Sequence, residues 1–195
     1  MKIKRIIAFI ILVFVVNACF YTKITHMDKK DMQWMSSYSN GEKVLFCSQY
    51  GDIDTLFVKT IDVWNSMYPI NDISIGAEYL AGGRCEYTIL HERDSVICSF
   101  MIEKQEKKAP VLLNFVFCER YALDLVQELH TYKINGQVFE NCVIINENNS
   151  ISVKQHPNEC GIRKIVWSRS KGLVMYEFNN GQKYFLLNDS NNKTK

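Results

Sequence analysis

Glycine-bearing turn dipeptides cut most of this chain into short runs rich in Val, Ile, Phe, Tyr and Thr, and that punctuation leaves few folds open to it. Asn40-Gly41, Gly51-Asp52, Asn135-Gly136, Lys171-Gly172 and Asn180-Gly181 each stand between two such runs. They supply the positive φ that a tight hairpin turn requires. Short β-prone runs between such turns are the mark of antiparallel strands joined by hairpins. From Trp34 onward the expectation is therefore a mainly β domain built as an antiparallel meander, with at most one short helix.

Strand faces follow from period-2 alternation. Asn40-Gly41 precedes a strand over Lys43–Cys47, and Gly51-Asp52 separates Leu45–Tyr50 from Ile53–Lys59. With Glu92-Arg93 as the loop of a hairpin from Arg84 to Ile102, one face carries Cys85, Tyr87, Ile89, Val96, Cys98 and Phe100. The other carries mostly Glu86, Thr88, Ser95 and Ser99. Cys98 then lies opposite Tyr87, and Cys85 opposite Phe100. The two cysteines become diagonal neighbours, roughly 7 to 8 Å apart and beyond ordinary disulfide reach, so both are expected as free thiols.

Glu103–Lys108 is a mixed-charge run leading to Pro110 and reads as an exposed loop, whereas the continuously apolar Val111–Cys118 suits a strand buried on both faces. Glu119–His130 supports two readings. Ala122, Leu125, Val126 and Leu129 recur at helical spacing, while Val126, Glu128, His130 and Tyr132 alternate as a strand would; the reading leans to a helical turn. Asn135-Gly136 as a two-residue turn sets Tyr132 opposite Phe139 and starts a strand over Gln137–Ile145. Asn146–Lys164, polar and asparagine-rich with Pro157 and Gly161, reads as a long surface loop. Ile165–Ser168, Leu173–Phe178 and Lys183–Leu187 close the domain. A two-residue turn at Asn180-Gly181 would put Val174, Tyr176, Phe178, Phe185 and Leu187 on the core face beside Trp167, with Glu177 outside and Lys183 at the tip. A three-residue loop, Asn179–Gly181, is the competing register; it puts Tyr184 and Leu186 on the Tyr176 face and turns Phe185 outward.

The amino terminus is of another kind. Lys2, Lys4 and Arg5 precede an unbroken apolar run, Ile6–Val16, which is shorter than the roughly 20 residues a spanning helix needs. Val16-Asn17-Ala18-Cys19 closes it with a small residue before a cysteine. This layout resembles the lipobox of bacterial lipoproteins. The resemblance implies that Cys19 is the lipidation site, that residues 1–18 are a signal peptide removed on processing, and that acyl chains on Cys19 hold the protein on a membrane. Residues 19–33 then read as a lipidated tether, 34–188 as a single β-rich domain and 189–195 as a polar tail. Ile6–Val16 is expected to pack little against the domain. Phe20, in place of an acidic residue after the cysteine, resembles lipoproteins sent to the outer membrane.

A second resemblance rests on Asn135-Gly136-Gln137-Val138-Phe139-Glu140-Asn141-Cys142-Val143, followed by Ile165-Val166-Trp167-Ser168 and Lys171-Gly172-Leu173-Val174-Met175-Tyr176-Glu177-Phe178. Spread over about a quarter of the chain, it is similar to the closing half of uncharacterised lipoproteins of Gram-negative gut commensals. It implies that the antiparallel sheet is curved into a half-barrel or sandwich, and it brings no catalytic residue.

Charge and cysteine content bound the partners. Three of the 23 basic residues sit in the leader, leaving 20 Lys and Arg against 21 Asp and Glu. That near-balance offers no electrostatic case for nucleic acid. Beyond Cys19 stand Cys47, Cys85, Cys98, Cys118, Cys142 and Cys160. An exported chain could oxidise them in many pairings, yet four of the six lie inside apolar runs, where free cysteine behaves as a small hydrophobe.

Motifs for chemistry are few. His156 and Cys160 stand four apart, but a structural zinc needs four ligands, usually as two close pairs, and His26, His91 and His130 are scattered singly. No metal or cofactor is expected. There is no G-x-S-x-G elbow, phosphate-binding glycine loop or dinucleotide fingerprint. A Cys and His dyad could be drawn only by choosing freely among residues. The one excess is aromatic: eleven Phe, ten Tyr and three Trp, which either fill the concave side of a curved sheet or line a pocket there. These features point to a monomeric, lipid-anchored cell-envelope protein, binding or structural rather than enzymatic, whose partner is an envelope protein or an apolar small molecule. A carrier of a lipid or other apolar ligand in the concave face is one alternative; an envelope hydrolase or thiol enzyme is another.

Overall fold

The computed structural model describes residues 23–65, 78–92, 94–117, 120–122, 129–134, 136–146, 148, 151–152 and 161–187. The leader, Cys19, Cys118, His156, Cys160, the polar tail and residues 123–128 lie outside the described residues.

In chain order the elements are β1 (Lys23–Ile24), α1 (Lys29–Met32), β2 (Lys43–Ser48), β3 (Ile53–Trp64), β4 (Glu78–Tyr79), β5 (Ala81–His91), β6 (Asp94–Lys104), β7 (Leu112–Phe117), β8 (Arg120–Ala122), β9 (His130–Ile134), β10 (Gln137–Asn146), β11 (Ile151–Ser152), β12 (Ile162–Ser168), β13 (Gly172–Phe178) and β14 (Lys183–Leu186). The fold is mainly β. β1 and β4 form a short parallel pair, and the other strands make one antiparallel sheet in the order β11-β8-β7-β6-β5-β3-β2-β14-β13-β12-β10-β9. It consists of two meanders joined where β2 pairs with β14. Among the described residues its two edges, β9 and β11, do not pair with each other, so the sheet is not closed into a barrel.

Aromatic contacts establish the curvature. β12 stands five strands from β5 in the sheet, which at about 4.8 Å per strand is roughly 24 Å in a flat sheet. Yet Trp167 of β12 lies 5.8 Å from Tyr87 of β5, 4.6 Å from Phe100 of β6 and 5.6 Å from Phe115 of β7, centroid to centroid. The two meanders therefore face each other around Trp167, with Phe46, Leu56, Ile89, Ile102 and Tyr176 filling the concave side. A second, smaller cluster covers the outer face of the closing strands. There Ile134 and Phe139 pack with Val166, Val174 and Met175. A bulge between Phe139 and Cys142, with Asn141 at φ 52°, interrupts the β9–β10 ladder beside this cluster.

The β5–β6 hairpin has the expected register: Cys85 faces Phe100, Tyr87 faces Cys98, and all four are buried. Tyr132 faces Phe139 as expected, and Cys47, Cys85, Cys98 and Cys142 are free thiols. Other expectations are corrected. Residues 23–33, read as part of a tether, pack on the domain, because Thr25, Met27 and Asp31 are buried. β6 runs on to Lys104, inside the segment read as a loop, since the ammonium has a buried partner in Asp31. The sequence 119–130 contains strand, not helix, where it is described: Arg120–Ala122 pairs with β7, and His130 begins β9. The loop read over 146–164 holds β11 and the start of β12.

The closing hairpin takes the three-residue register. Tyr176 faces Tyr184 and Met175 faces Phe185. The Phe178 amide donates to the Gln182 carbonyl, the Gly181 amide donates to the Phe178 carbonyl, and Gly181 sits at φ 84°. That is a turn closed by a left-handed residue, a position suited to glycine. Tyr184 therefore enters the core, and Phe185 joins the outer cluster half-buried. Glu177, expected outside, is buried and accepts from Arg163 Nη2.

Candidate functional site

The densest polar arrangement lies at the end of the sheet where β3 begins and β5 ends. Asp54 alternates with Leu56 and Val58 on the inward face of β3, so its carboxylate is carried into the core at 2% exposure. A buried carboxylate must be met by donors. Tyr176 Oη donates to Asp54 Oδ2, and His91 Nδ1 lies 3.1 and 3.0 Å from its two oxygens. Because a carboxylate only accepts, Nδ1 carries the hydrogen. The imidazole is fixed further by Phe178, at 4.5 Å between centroids, and by Tyr184, edge-on at 5.4 Å.

Tyr184 stacks on Tyr176 at 5.1 Å with the planes 2° apart. Gln182 Nε2 donates to Tyr184 Oη at 3.0 Å and to Asp52 Oδ2 at 3.1 Å. Ser48 Oγ donates to the same Asp52 oxygen at 2.9 Å. Burial first, then the hydrogen bond to Asp54, pushes the Tyr176 hydroxyl well above the usual phenol range. It stays a protonated donor throughout physiological pH.

This arrangement orients one imidazole and leaves its Nε2 without a hydrogen bond among the described residues. An aspartate holding Nδ1–H with Nε2 free is the geometry of a general base. Among the described residues the neighbourhood offers no free nucleophile: Ser48 Oγ is engaged by Asp52, and Cys47 Sγ donates to the carbonyl of its own neighbour. Among the described residues no group of three His, Cys, Asp or Glu is placed to hold a metal ion.

The opposite end of the sheet is closed by the chain's first described residues. Thr25 Oγ1 donates to the Lys104 carbonyl at 2.6 Å and accepts from the Ala81 amide at 2.8 Å. Asp28 caps α1, accepting from the amides of Lys30 and Asp31 at 2.8 Å. Asp31 receives Lys104 Nζ at 2.8 Å. Trp34 then lies 6.2 Å from Phe100, with the Arg169 guanidinium over its ring at 4.9 Å from the centroid. Tyr38 accepts from the Leu173 amide at 2.8 Å, and its ring leaves no room for a β-carbon at Gly172. A strap over residues 23–38 thus bridges both meanders.

Two clefts flank the strap. One, of about 420 Å³, brings Met27, Met32, Met35 and Val63 together with Asp28, Lys29 and other polar residues; the other, of about 340 Å³, is more polar and includes Tyr38, Glu42, Lys43, Ser170 and Lys171. Of the residues singled out from sequence, Cys19, His156 and Cys160 fall outside the described residues, while His26 and His130 are exposed and belong to neither site. His91 was legible only as an isolated histidine. Its partner lies 37 positions away and meets it through the β3–β5 pairing, where Thr55 faces Leu90. The sequence signal was an aspartate at an inward position of an alternating strand. Comparison with protein-family models, curated proteins and solved structures finds no match to this chain.

Proposed function

We propose that this chain is a lipoprotein of the cell envelope, anchored through acyl chains on Cys19, directed to the outer membrane, and serving a binding or structural role. The observation that carries the reading is Val16-Asn17-Ala18-Cys19 at the close of a short apolar leader with a cationic start. Two features of the fold support it. Lys23–Ile24, four positions after the cysteine, is already paired with β4 of the domain, as suits a domain built to sit beside its anchor. The concave side is filled by Trp167, Tyr87, Phe100 and their neighbours, which favours contacts made on the outside of the molecule over carriage of a ligand within.

Metabolic labelling with palmitate tests the anchor. Wild-type protein incorporates label and floats with membranes. Cys19→Ser loses the label and stays unprocessed or is released, because stable anchoring takes two or more acyl chains at about 0.8 kcal/mol per buried CH₂. Undiminished labelling of the variant would end the assignment.

A further inference from the structure

Among the described residues the Asp54–His91 pair meets no free nucleophile and no metal-binding group, and the polar cleft beside Tyr38 holds nothing that selects a ligand.

We propose that the strap end is a membrane-docking surface, its partner the phospholipid bilayer that holds the anchor. The inference rests on the lipoprotein reading and adds to it an orientation. Four peptide units separate Cys19 from Lys23, and at no more than about 3.6 Å each the Lys23 backbone stays within roughly 14 Å of the acylated residue. Lys23 pairs with Glu78 beside the start of β5, so any bilayer holding the anchor lies against this end of the sheet.

The side chains there suit an interface of lipid and water. Trp64, the last residue of β3, is 40% exposed, as is Val63. Beside them opens a cleft in which Met27, Met32, Met35 and Val63 meet polar groups that include Asp28 and Lys29. Asn65 ties this corner to the strap, accepting from the Met27 amide at 2.8 Å and donating to its carbonyl at 3.2 Å. An indole at the edge of an apolar patch is the side chain favoured at headgroup level. Lys29 and Lys30 are exposed on α1 and form no ion pair among the described residues. The nearby carboxylates of Asp28 and Asp31 are turned onto backbone amides and Lys104. The strap thus keeps its acidic groups occupied and its ammonium groups free for anionic headgroups.

Tryptophan fluorescence reads this directly, because Trp34 and Trp167 are buried and Trp64 alone of the three is exposed. The acylated full-length product is reconstituted into vesicles of phosphatidylethanolamine and phosphatidylglycerol, with and without brominated acyl chains. Docking blue-shifts the Trp64 emission and lets brominated lipid quench it, and Trp64→Phe removes the quenched component. Lys29→Gln and Lys30→Gln, both at exposed positions, lower the docked-to-undocked ratio by about fivefold each. A protein that carries palmitate and floats with vesicles, yet shows Trp64 unquenched, overturns the docking surface and leaves the anchor intact. Protein without palmitate overturns the anchor and the docking surface together.

Discussion

At the scale of single residues the core holds two kinds of ionisable group, and they respond to pH in ways that can be told apart. Burial first, then the nearby Glu86 carboxylate, pushes the Cys85 thiol up to about 12, and burial pushes Cys98 up to about 12 as well. In the unfolded chain these thiols ionise near 8.5. Between about pH 9 and 12 the unfolded state therefore releases protons that the folded state keeps, and stability falls as pH rises. Each thiol steepens the fall by up to about 1.4 kcal/mol per pH unit. Urea titrations from pH 8 to 11 should show a shallower slope for a Cys85→Ala, Cys98→Ala double variant than for wild type. A native protein whose two thiols react with an aromatic disulfide at pH 8 would contradict their burial. Asp54 behaves differently, since it is the acceptor for two donors. Asp54→Ala strands Tyr176 Oη and His91 Nδ1–H and should cost about 3 kcal/mol in equilibrium denaturation. Tyr176→Phe leaves the carboxylate with His91 and should cost about 1 kcal/mol. Equal costs for the two variants would mean that Asp54 is not the hub of the cluster.

At the scale of elements, hairpin registers separate what sequence could specify from what it could not. In β5–β6, the six alternating positions Cys85, Tyr87, Ile89, Val96, Cys98 and Phe100 agree on one face, and a single register satisfies them all. Slipping it by one residue would have turned Cys85, Tyr87, Ile89 and their partners to solvent. The closing hairpin offers no such discrimination, because β13 is buried on both faces, from Gly172 to Phe178. Apolar residues therefore fit either way round. The three-residue loop is also the one that ends β2, where the Ser48 amide donates to the Asp52 carbonyl and Gly51 sits at φ 98°. The choice at Asn179–Gly181 is made by tertiary packing: Tyr184 inward stacks on Tyr176 and meets His91, whereas Phe185 finds Val174 and Met175 in a second cluster that no local pattern announced. Tyr184→Ala should therefore cost about 3 to 5 kcal/mol, and the half-buried Phe185→Ala less than about 2. Denaturant midpoints in the reverse order would restore the two-residue register. The His91 and Asp54 site was hidden for a related reason: a contact across 37 positions exists only once β3 and β5 are paired.

At the scale of the whole molecule, the strap and the imidazole cluster occupy opposite ends of one sheet. β3 runs 12 residues between them, about 40 Å at 3.3 Å per residue. Whatever binds near His91 would meet the domain well away from the strap. The strap itself is held by an ion pair whose two members are unequally supported. Lys104 is 6% exposed at its side chain, and Asp31 is its one ion-pair partner among the described residues. Asp31 is 12% exposed and also accepts from the Asp28 amide at 3.2 Å, through the reciprocal cap of α1. Removing the carboxylate strands a buried ammonium and undoes the cap; removing the ammonium leaves the carboxylate with a backbone donor and a route to water. Breaking a buried pair from the stranded side costs about 3 to 5 kcal/mol, while exchange for a well-packed apolar side chain costs far less. Asp31→Ala should therefore destabilise the domain by about 3 to 5 kcal/mol, and Lys104→Met by no more than about 1 to 2. Loss of the strap would also uncover Trp34, whose emission should shift to the red before the sheet itself melts if the strap releases as a unit. Calorimetry together with tryptophan emission of both variants decides it. Equal costs, or a Trp34 signal that changes only with global unfolding in Asp31→Ala, would show that the strap is one cooperative piece with the sheet and is held by Trp34, Met35 and Tyr38 rather than by the buried charges.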